Sequence, residues 1–469
     1  MSERQSIESY IDQHFSETLK DIQKIIQIKT VKEESTPGAP FGLGLKKGLE
    51  ETLEIGKKLG FKTVNLDNYV GYAEFGEGDE YIGILGHIDV VPEGDHLKWD
   101  VNPYSGEIKD KFMISRGALD NKGPIISALY AMKALKESVP NFKKRVRIIF
   151  GTNEESGDED MKYYLSKEQP PKYAFTPDGQ FPVVFSEKGI YTFSYGIKFD
   201  KKETSILDIE GGTKSNVVPE IAKVILKKEL YSKVLEEIEN LGETPSEFEV
   251  LKRDGNIEVI CKGIPAHASS PQRGVNPINW LFKLLNRVIS KNDSMKKFIE
   301  FMSEVVGITT DGSGLEIKTI NDETGDLTIS CGIVKISTEN DDILVKAKFN
   351  IRYPVNTSEK NLDEKLNETG KKSDVIFFKE NHNAPLYFPK DSPLVKKLQK
   401  VFKDVTKRED QPVALGGGTY AKLMPNTVAF GPNFKEFKGN PHGFNEKMDI
   451  EMLKQGMIMY ALGVLELSK

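Results

Sequence analysis

The first 180 residues alternate between amphipathic helical segments and short apolar runs, and this alternation constrains the fold more than any other feature of the sequence. Helical spacing of apolar residues occurs over residues 15–30 and 43–59, and an apolar helix is predicted over residues 124–135. Between these segments, apolar runs of strand length occupy residues 81–85 and 145–150. Such runs are typical of strands that are buried on both faces by helices. We therefore predict an α/β fold with a doubly wound, mostly parallel sheet.

The pattern changes over residues 187–385. Short alternating strands are predicted there at residues 257–262 and 343–351, and helices at residues 221–241 and 276–289. This mixture, with its charged connecting segments, is typical of a separate α+β domain.

The alternation of helices and strands returns after residue 385, with helices predicted over residues 392–407 and 449–467. The sequence thus predicts two domains. One is discontinuous and is formed by residues 1–186 and 386–469, and the other is an inserted α+β domain of residues 187–385.

Composition excludes several classes of protein. The 469 residues include 65 Lys+Arg and 71 Asp+Glu, a net charge of −6 without a basic stripe, which argues against a nucleic-acid partner. The two cysteines, Cys261 and Cys331, are too few for a disulfide framework or a Cys-rich metal site. No signal-peptide core and no apolar run of membrane-spanning length occur, so we predict a cytoplasmic protein without a membrane partner.

Acidic residues and histidines lie at predicted strand ends or helix starts in five short strings. These are Gly86-His87-Ile88-Asp89, Leu119-Asp120-Asn121, Asn153-Glu154-Glu155, Pro177-Asp178-Gly179 and Pro441-His442-Gly443. Each string alone has an ordinary structural explanation, such as a helix cap, a turn or a solvated loop. Their shared position is more informative, because ligands of such sheets bind where the strands end.

Taken together, these strings supply a set of metal ligands without a soft thiolate, suited to two divalent ions such as Zn, Mn or Co. The candidate ligands are His87, Asp120, Glu155, Asp178 and His442. If one aspartate bridges, three carboxylates leave two such ions with a net charge of about +1, so a bridging water would readily become hydroxide. Glu154 would accept that proton and return it to the leaving amine. Asp89 is placed to accept the N–H of the second imidazole nitrogen of His87.

In this order, and with the late string LGGGTYAKLMP, these motifs resemble a known family. It is the co-catalytic zinc peptidase family of aminoacylase, carboxypeptidase G and succinyl-diaminopimelate desuccinylase, and within it the bacterial dipeptidase V branch of carnosinase-like Xaa-His dipeptidases. The similarity extends over nearly the whole chain. It implies that Asp120 bridges two metals, that His87 and Asp178 complete one site, and that Glu155 and His442 complete the other.

The resemblance also implies roles for the residues beside the ligands. Glu154 would be the general base, and Asp89 would orient His87. A cis peptide bond is implied after Asp120, although Asn121 stands where many relatives carry a second acidic residue.

The inserted domain would be a lid by the same resemblance. His267 matches the histidine that stabilises the oxyanion, and Asn216 matches another lid position. Arg352 could bind a substrate carboxylate through its planar guanidinium group. Gly417 and Gly418 match the loop that meets the C-terminal carboxylate of the substrate, where backbone N–H groups at a helix start suit an anion. Without the resemblance, His267 could be an ordinary surface histidine, and Arg352 an ordinary solvated arginine on a strand.

These residues predict a metal-dependent dipeptidase that acts as a monomer on small dipeptides. The main alternative is an N-acyl amino-acid amidohydrolase of the deacylase or desuccinylase type, which shares the metal chemistry and differs in what faces the N-terminal end of the substrate. A second alternative is a catalytically inactive protein that binds peptides or metals. The presence of Glu154 beside Glu155 argues against it, because a binding protein has no use for a general base.

Overall fold

The structure, a computed structural model, describes residues 1–339 and 342–469. Its helices, in chain order, are α1 (Glu3–Ile26), α2 (Leu43–Lys58), α3 (Lys122–Ser138), α4 (Glu159–Lys167), α5 (Tyr231–Leu241), α6 (Pro277–Val288), α7 (Lys296–Glu300), α8 (Glu359–Lys372), α9 (Pro393–Thr406) and α10 (Ile450–Leu467). Of the helices in these two ranges, none is both long and apolar enough to cross a membrane.

The strands before residue 190 are β1 (Lys62–Leu66), β2 (Val70–Phe75), β3 (Glu77–His87), β4 (Glu107–Lys109), β5 (Phe112–Ile114), β6 (Lys144–Gly151), β7 (Tyr173–Thr176), β8 (Gly179–Gln180) and β9 (Val184–Glu187). They are followed by β10 (Gly189–Lys198), β11 (Ile206–Gly211), β12 (Val217–Val218), β13 (Ile221–Lys227), β14 (Glu247–Arg253), β15 (Asn256–Lys262), β16 (Ala266–His267), β17 (Thr328–Glu339), β18 (Asp342–Tyr353) and β19 (Ile376–Asn383). The last strands are β20 (Leu386–Tyr387), β21 (Val413–Leu415), β22 (Thr427–Ala429), β23 (Pro432–Asn433) and β24 (Lys447–Asp449).

The chain forms two compact units. The first unit contains residues 1–186, 387–413 and 419–469, and the second contains residues 187–386 and 414–418. The predicted boundaries differ from this division chiefly at residues 414–418, which the sequence placed with the C-terminal segment. These residues join the second unit through hydrogen bonds, because the N–H of Lys188 donates to the carbonyl oxygen of Leu415 at 2.9 Å.

The sheet of the first unit has the strand order β1-β2-β6-β3-β7-β22-β9. Its central strands β6, β3, β7 and β22 are parallel, as predicted for an α/β fold, and antiparallel strands flank them. Helices cover both faces of the sheet. Successive residues of a strand face opposite sides, and in β3 Gly86 packs against Ile125 of α3, whereas Leu85 shares a hydrophobic cluster with Met161 of α4. The ends of parallel strands meet at one edge, and β3 ends there at His87, opposite Gly151 of β6.

The second unit contains an antiparallel sheet with the strand order β14-β15-β13-β11-β17-β18-β10-β19. Its helices and this sheet share one apolar core, so the predicted α+β class is confirmed. The helix predicted over residues 221–241 is wrong in its first part. Ala222, Val224 and Leu226 are buried at every second position of β13, and the helix α5 begins only at Tyr231.

The first helix also differs from its prediction. It begins at Glu3 rather than near residue 15, because Ser2 caps it through a reciprocal pair of hydrogen bonds with Gln5. Ile7 and Ile11 of this added part are buried, so the first turns belong to the core.

Candidate metal centre

His87 ends strand β3 and its side chain is fully buried. Its Nδ1 atom lies 2.9 Å from the carbonyl oxygen of Asp89, which can only accept a hydrogen bond, so Nδ1 carries a proton. The Nε2 atom is buried without a hydrogen-bond partner, yet it lies 3.1 Å from Asp120 Oδ1 and 3.5 Å from Asp178 Oδ2. A neutral imidazole would direct a lone pair at these oxygens, so a cation or a proton is needed between them.

The pKa of His87 reflects this arrangement. Burial lowers the pKa of the imidazole, but the carboxylates of Asp120, Asp178 and Asp89 outweigh burial and raise it well above its ordinary value. A positive charge is therefore favoured at this position, whether a proton or a metal ion supplies it.

Asp120 lies between the two candidate histidines. Its Oδ1 atom is 3.1 Å from His87 Nε2 and its Oδ2 atom is 2.9 Å from His442 Nε2. Burial raises the pKa of this carboxyl, but the two imidazoles lower it well below its usual range. The peptide bond between Asp120 and Asn121 is cis, as the resemblance implied. A carboxylate that turns one oxygen to each of two histidines has the placement of a bridging ligand.

Glu155 and His442 form the other end of the cluster. His442 Nε2 lies 3.0 Å from Glu155 Oε1, a buried atom without a hydrogen-bond partner. Burial and the charge of Asp120 raise the pKa of Glu155 to about 7. Burial lowers the pKa of His442, but Asp120 and Glu155 outweigh it and raise it to about 11. Two partnerless buried ligand atoms, with only nitrogen and oxygen donors around them, fit borderline divalent cations.

Two groups of three side chains bring their possible ligand atoms within 4.8 Å of one another. The first is His87, Glu154 and Asp178, and the second is Asp120, Glu155 and His442. All six residues belong to the first unit. The sequence assigned Glu154 to proton transfer, whereas the geometry also places it among the possible ligands of the first group.

The environment of Glu154 favours its protonated form. Burial, followed by the charges of Asp178, Glu155 and Asp120, raises its pKa well above the usual range, against an opposing effect of His87. A carboxyl of this kind takes up a proton more readily than an exposed glutamate does.

Asp89 contacts His87 with its backbone and the glutamates with its side chain. The carboxylate oxygen predicted as the acceptor for His87 lies 3.4 Å from Nδ1, farther than the carbonyl oxygen. Instead, the carboxylate accepts the backbone N–H groups of Glu154 at 3.1 Å and Glu155 at 2.9 Å. Asp89 thus orients the imidazole and also fixes the backbone that carries both glutamates.

Two buried residues that sequence reasoning left without a role connect the ligand loops. Glu446 Oε1 accepts the N–H groups of Leu119 at 2.9 Å and Asp120 at 3.0 Å, and Glu446 Oε2 accepts Arg116 Nη1 at 2.7 Å. Arg116 Nη2 donates to the carbonyl oxygen of His442 at 3.2 Å. Arg116 and Glu446 each stand four residues from a candidate ligand, Asp120 and His442, and two opposite charges so close to ligand strings are the signal that could have identified them.

Asn121 also has a definite place, despite its departure from the family pattern. Its side chain is buried, Oδ1 accepts the N–H of His87 at 3.3 Å, and Nδ2 donates to the carbonyl oxygen of Pro177 at 2.6 Å. The amide therefore joins the segments that carry His87 and Asp178.

The predicted lid residues all lie in the second unit. His267 ends the short strand β16 and is exposed. Its Nδ1 atom accepts the backbone N–H of Ser269 at 3.2 Å, so in a neutral ring the proton is on Nε2. Asn216 precedes β12, and its carbonyl oxygen accepts the N–H of Ala268 at 2.9 Å.

Arg352 is buried, and this burial lowers the pKa of its guanidinium group to about 10. Its Nε atom donates to Asn350 Oδ1 at 2.8 Å and its Nη1 atom to the carbonyl oxygen of Gly416 at 3.1 Å. Within the described ranges, no carboxylate forms an ion pair with it.

Gly417 and Gly418 follow Gly416 in the chain, but the helix expected after them is only the three-residue 3-10 turn Tyr420–Lys422. The expectation of a regular helix start at this loop is therefore wrong.

Comparisons with known proteins show the family and the fold of this chain. Residues 83–466 match the sequence profile of peptidase family M20/M25/M40. YtjP of Bacillus subtilis (strain 168), provisionally named a dipeptidase, is 33% identical over 458 residues, which cover 96% of this chain and 97% of the relative. Human carnosine dipeptidase 1 has a similar fold, with a TM-score of 0.61 at 15% identity over 100% of this chain and 99% of its own. The di-peptidase Dug1p from Saccharomyces cerevisiae has the same TM-score and coverage at 16% identity.

Proposed function

Because the chain belongs to peptidase family M20/M25/M40, as its motifs predicted, we propose that it is a metal-dependent dipeptidase that hydrolyses the peptide bond of small dipeptides. The observation that carries this proposal is the placement of Asp120, whose two oxygens face two different histidines. An aspartate with a structural role can be satisfied by N–H or hydroxyl donors, whereas a bridging ligand has to turn one oxygen towards each of two groups of candidate ligands, as Asp120 does.

The proposed metal complement is two divalent ions, zinc in first place and manganese or cobalt as alternatives. His87 and Asp178 would hold one ion, Glu155 and His442 the other, and Asp120 would contact both. When bound, such ions act as Lewis acids that polarise the peptide carbonyl and lower the pKa of water.

Glu154 has the proton-transfer role in this proposal. Its carboxylate takes a proton from the attacking water and returns it to the leaving amine. Desolvation of its carboxyl supports the role, because burial favours the protonated form that has to exist between the two steps. Asp89 supports it as well, since its contact with the backbone of Glu154 limits where the carboxylate can point.

The second unit would supply the groups that bind the substrate. We assign oxyanion stabilisation to His267, whose protonated Nε2 is a suitable donor, and carboxylate binding to Arg352, which keeps a buried positive charge without an ion-pair partner among the described residues. Asn216, Gly417 and Gly418 keep the substrate-binding roles that the resemblance implies.

We also propose a monomer in the cytoplasm. The two cysteines, Cys261 and Cys331, support that compartment because both are buried, unpaired thiols.

The proposal is tested by hydrolysis assays on protein that has been stripped of metal and resupplied with zinc, manganese or cobalt. The substrates are a panel of free dipeptides and a matched panel of N-acetyl and N-succinyl amino acids. We expect metal-dependent cleavage of dipeptides with a free ammonium group, and the metal-free protein is the control. Cleavage of the acylated compounds alone would identify an amidohydrolase instead, and no cleavage in either panel would contradict the enzyme proposal.

A further inference from the structure

Residues 152–155 form the segment that follows strand β6 and ends in the two glutamates of the centre. All four of its backbone N–H groups donate to carboxylate oxygens. The first two bind Asp160 Oδ2 at 2.6 and 2.9 Å, and the last two bind the carboxylate of Asp89 at 3.1 and 2.9 Å. Two side chains therefore satisfy all four backbone N–H groups from the end of β6 into the short 3-10 turn Glu154–Ser156.

Asp160 lies in the first turn of α4 and is fully buried. Its Oδ2 atom accepts a third hydrogen bond, from the hydroxyl of Tyr420, and its Oδ1 atom accepts the N–H of Met161 at 2.7 Å. Burial alone would favour a neutral side chain at this position. A carboxylate accepts several donors more strongly than an amide does, which accounts for an aspartate where three donors converge on one oxygen.

Tyr420 belongs to the LGGGTYAKLMP string, in which only the glycines had a predicted role. Its side chain is buried, and its ring lies edge-on to the imidazole of His87 with a centroid distance of 6.1 Å. Gly151 makes room for it, since a Cβ atom there would lie 2.2 Å from the tyrosine hydroxyl oxygen. Burial and the charge of Asp160 raise the pKa of Tyr420 well above its ordinary value, so its hydroxyl remains a donor.

We propose that Asp160 and Tyr420 are positioning residues of the metal centre, which fix residues 152–155 so that Glu154 and Glu155 point at their separate ligand groups. The inference rests on the proposed function, because it concerns the same site. Neither residue is among the candidate ligands. The pair acts through the backbone, with Asp160 accepting the two amides that precede Glu154 and Tyr420 holding the carboxylate of Asp160 in place.

A purely structural pair would affect only stability, whereas a positioning pair also changes the metal centre. Residues that orient metal ligands typically contribute about 10- to 100-fold to metal affinity. We therefore expect Asp160→Asn to weaken cobalt binding by about 10- to 100-fold and Tyr420→Phe by a smaller factor of about threefold to tenfold. If the chain is a dipeptidase, kcat falls in both variants while KM stays within about twofold, because the substrate-binding groups are unchanged.

The test uses the full-length protein loaded with cobalt(II). Cobalt affinity is measured by competition with a chromophoric chelator, and the visible absorption spectrum of the bound cobalt reports its ligand geometry. Asp293→Asn is the matched control, because Asp293 is also buried and accepts backbone N–H groups, from Ser205 at 2.7 Å and Met295 at 3.0 Å. We expect this control to lose stability and to keep the wild-type cobalt affinity and spectrum.

Wild-type cobalt affinity and spectrum in both Asp160→Asn and Tyr420→Phe would overturn the inference. An equal change in Asp293→Asn would overturn it too, since the effect would then follow general loss of stability. If Asp160→Asn does not fold, Tyr420→Phe decides, because it removes one oxygen and keeps the ring that packs on Gly151. These readouts do not require hydrolysis, so a wild-type protein without peptidase activity would refute the proposed function and leave the cobalt result valid.

Discussion

Three aspartates of the first unit have different roles, which depend on the atoms that their carboxylate oxygens face. Asp120 faces two imidazole nitrogens, whereas Asp89 and Asp160 face backbone N–H groups. Metal binding would use the first arrangement, and fixing of the ligand-bearing backbone uses the second. The sequence marked Asp120 and Asp89 through their motifs, but Asp160 follows an acidic run in which any residue could have been solvated.

The protonation of Asp160 predicts a pH dependence of stability in the metal-free protein. Burial raises its pKa from an ordinary 3.8 to about 7. Between these values the native protein retains a proton that the unfolded chain has released, so this group lowers the free energy of unfolding as pH rises from about 4 to about 7. Above pH 7 its contribution is level. We expect Asp160→Asn to lack this part of the slope.

The measurement is urea unfolding of the metal-free wild type and the Asp160→Asn variant between pH 4.5 and 7.5. Ligands of the centre titrate in both proteins, so the difference between the two curves isolates Asp160. A difference that is constant over the whole pH range would show that the carboxyl does not titrate as described.

At the level of elements, the loop before α3 and the loop before β24 are joined by a buried ion pair. Glu446 of the second loop binds Arg116 and the backbone of Asp120 in the first. We expect Glu446→Gln to leave the guanidinium of Arg116 buried without a counter-charge and to reduce the free energy of unfolding by about 3 kcal/mol. Metal affinity should fall with it, because Asp120 and His442 lose their common support.

Both effects can be measured by denaturant unfolding of the metal-free variant and by chelator competition. Glu8→Gln is the matched control, because Glu8 forms an Arg–Glu pair of the same 2.7 Å length with Arg4 on the half-exposed surface of α1. Its loss should cost at most about 1 kcal/mol. Equal losses in the two variants would contradict the importance assigned to burial.

The elements that the sequence predicted well are those whose pattern is local. Helices α2, α9 and α10 and strand β6 follow their apolar spacing closely, whereas β3 contains its predicted run and extends beyond it at both ends. The segment Ile221–Lys227 was predicted as a helix, yet it is a strand, because its pairing with β11 and β15 buries alternate residues. That pairing involves residues distant in sequence, and a short apolar run alone does not distinguish the two structures.

At the scale of the whole molecule, the sequence predicted the family and the set of candidate ligands because each ligand lies in a motif string. It did not predict what holds the strings together. Tyr420 meets Asp160 from 260 residues away, and Glu446 meets the N–H of Asp120 from 326 residues away. Such contacts leave no periodicity in the sequence, because they depend on how the completed fold brings loops to one edge of the sheet.

Glu154 is proposed to transfer protons at a centre whose metals are held by other residues, namely His87, Asp120, Glu155, Asp178 and His442. Glu154→Gln tests this role most directly when metal content and hydrolysis of a cleaved dipeptide are measured on the same sample. Glu159→Gln, a change at an exposed glutamate at the start of α4, is the control. We expect Glu154→Gln to keep the metal content of the wild type and to lose at least about 100-fold in kcat. Undiminished turnover, or loss of a metal ion from the variant, would contradict it.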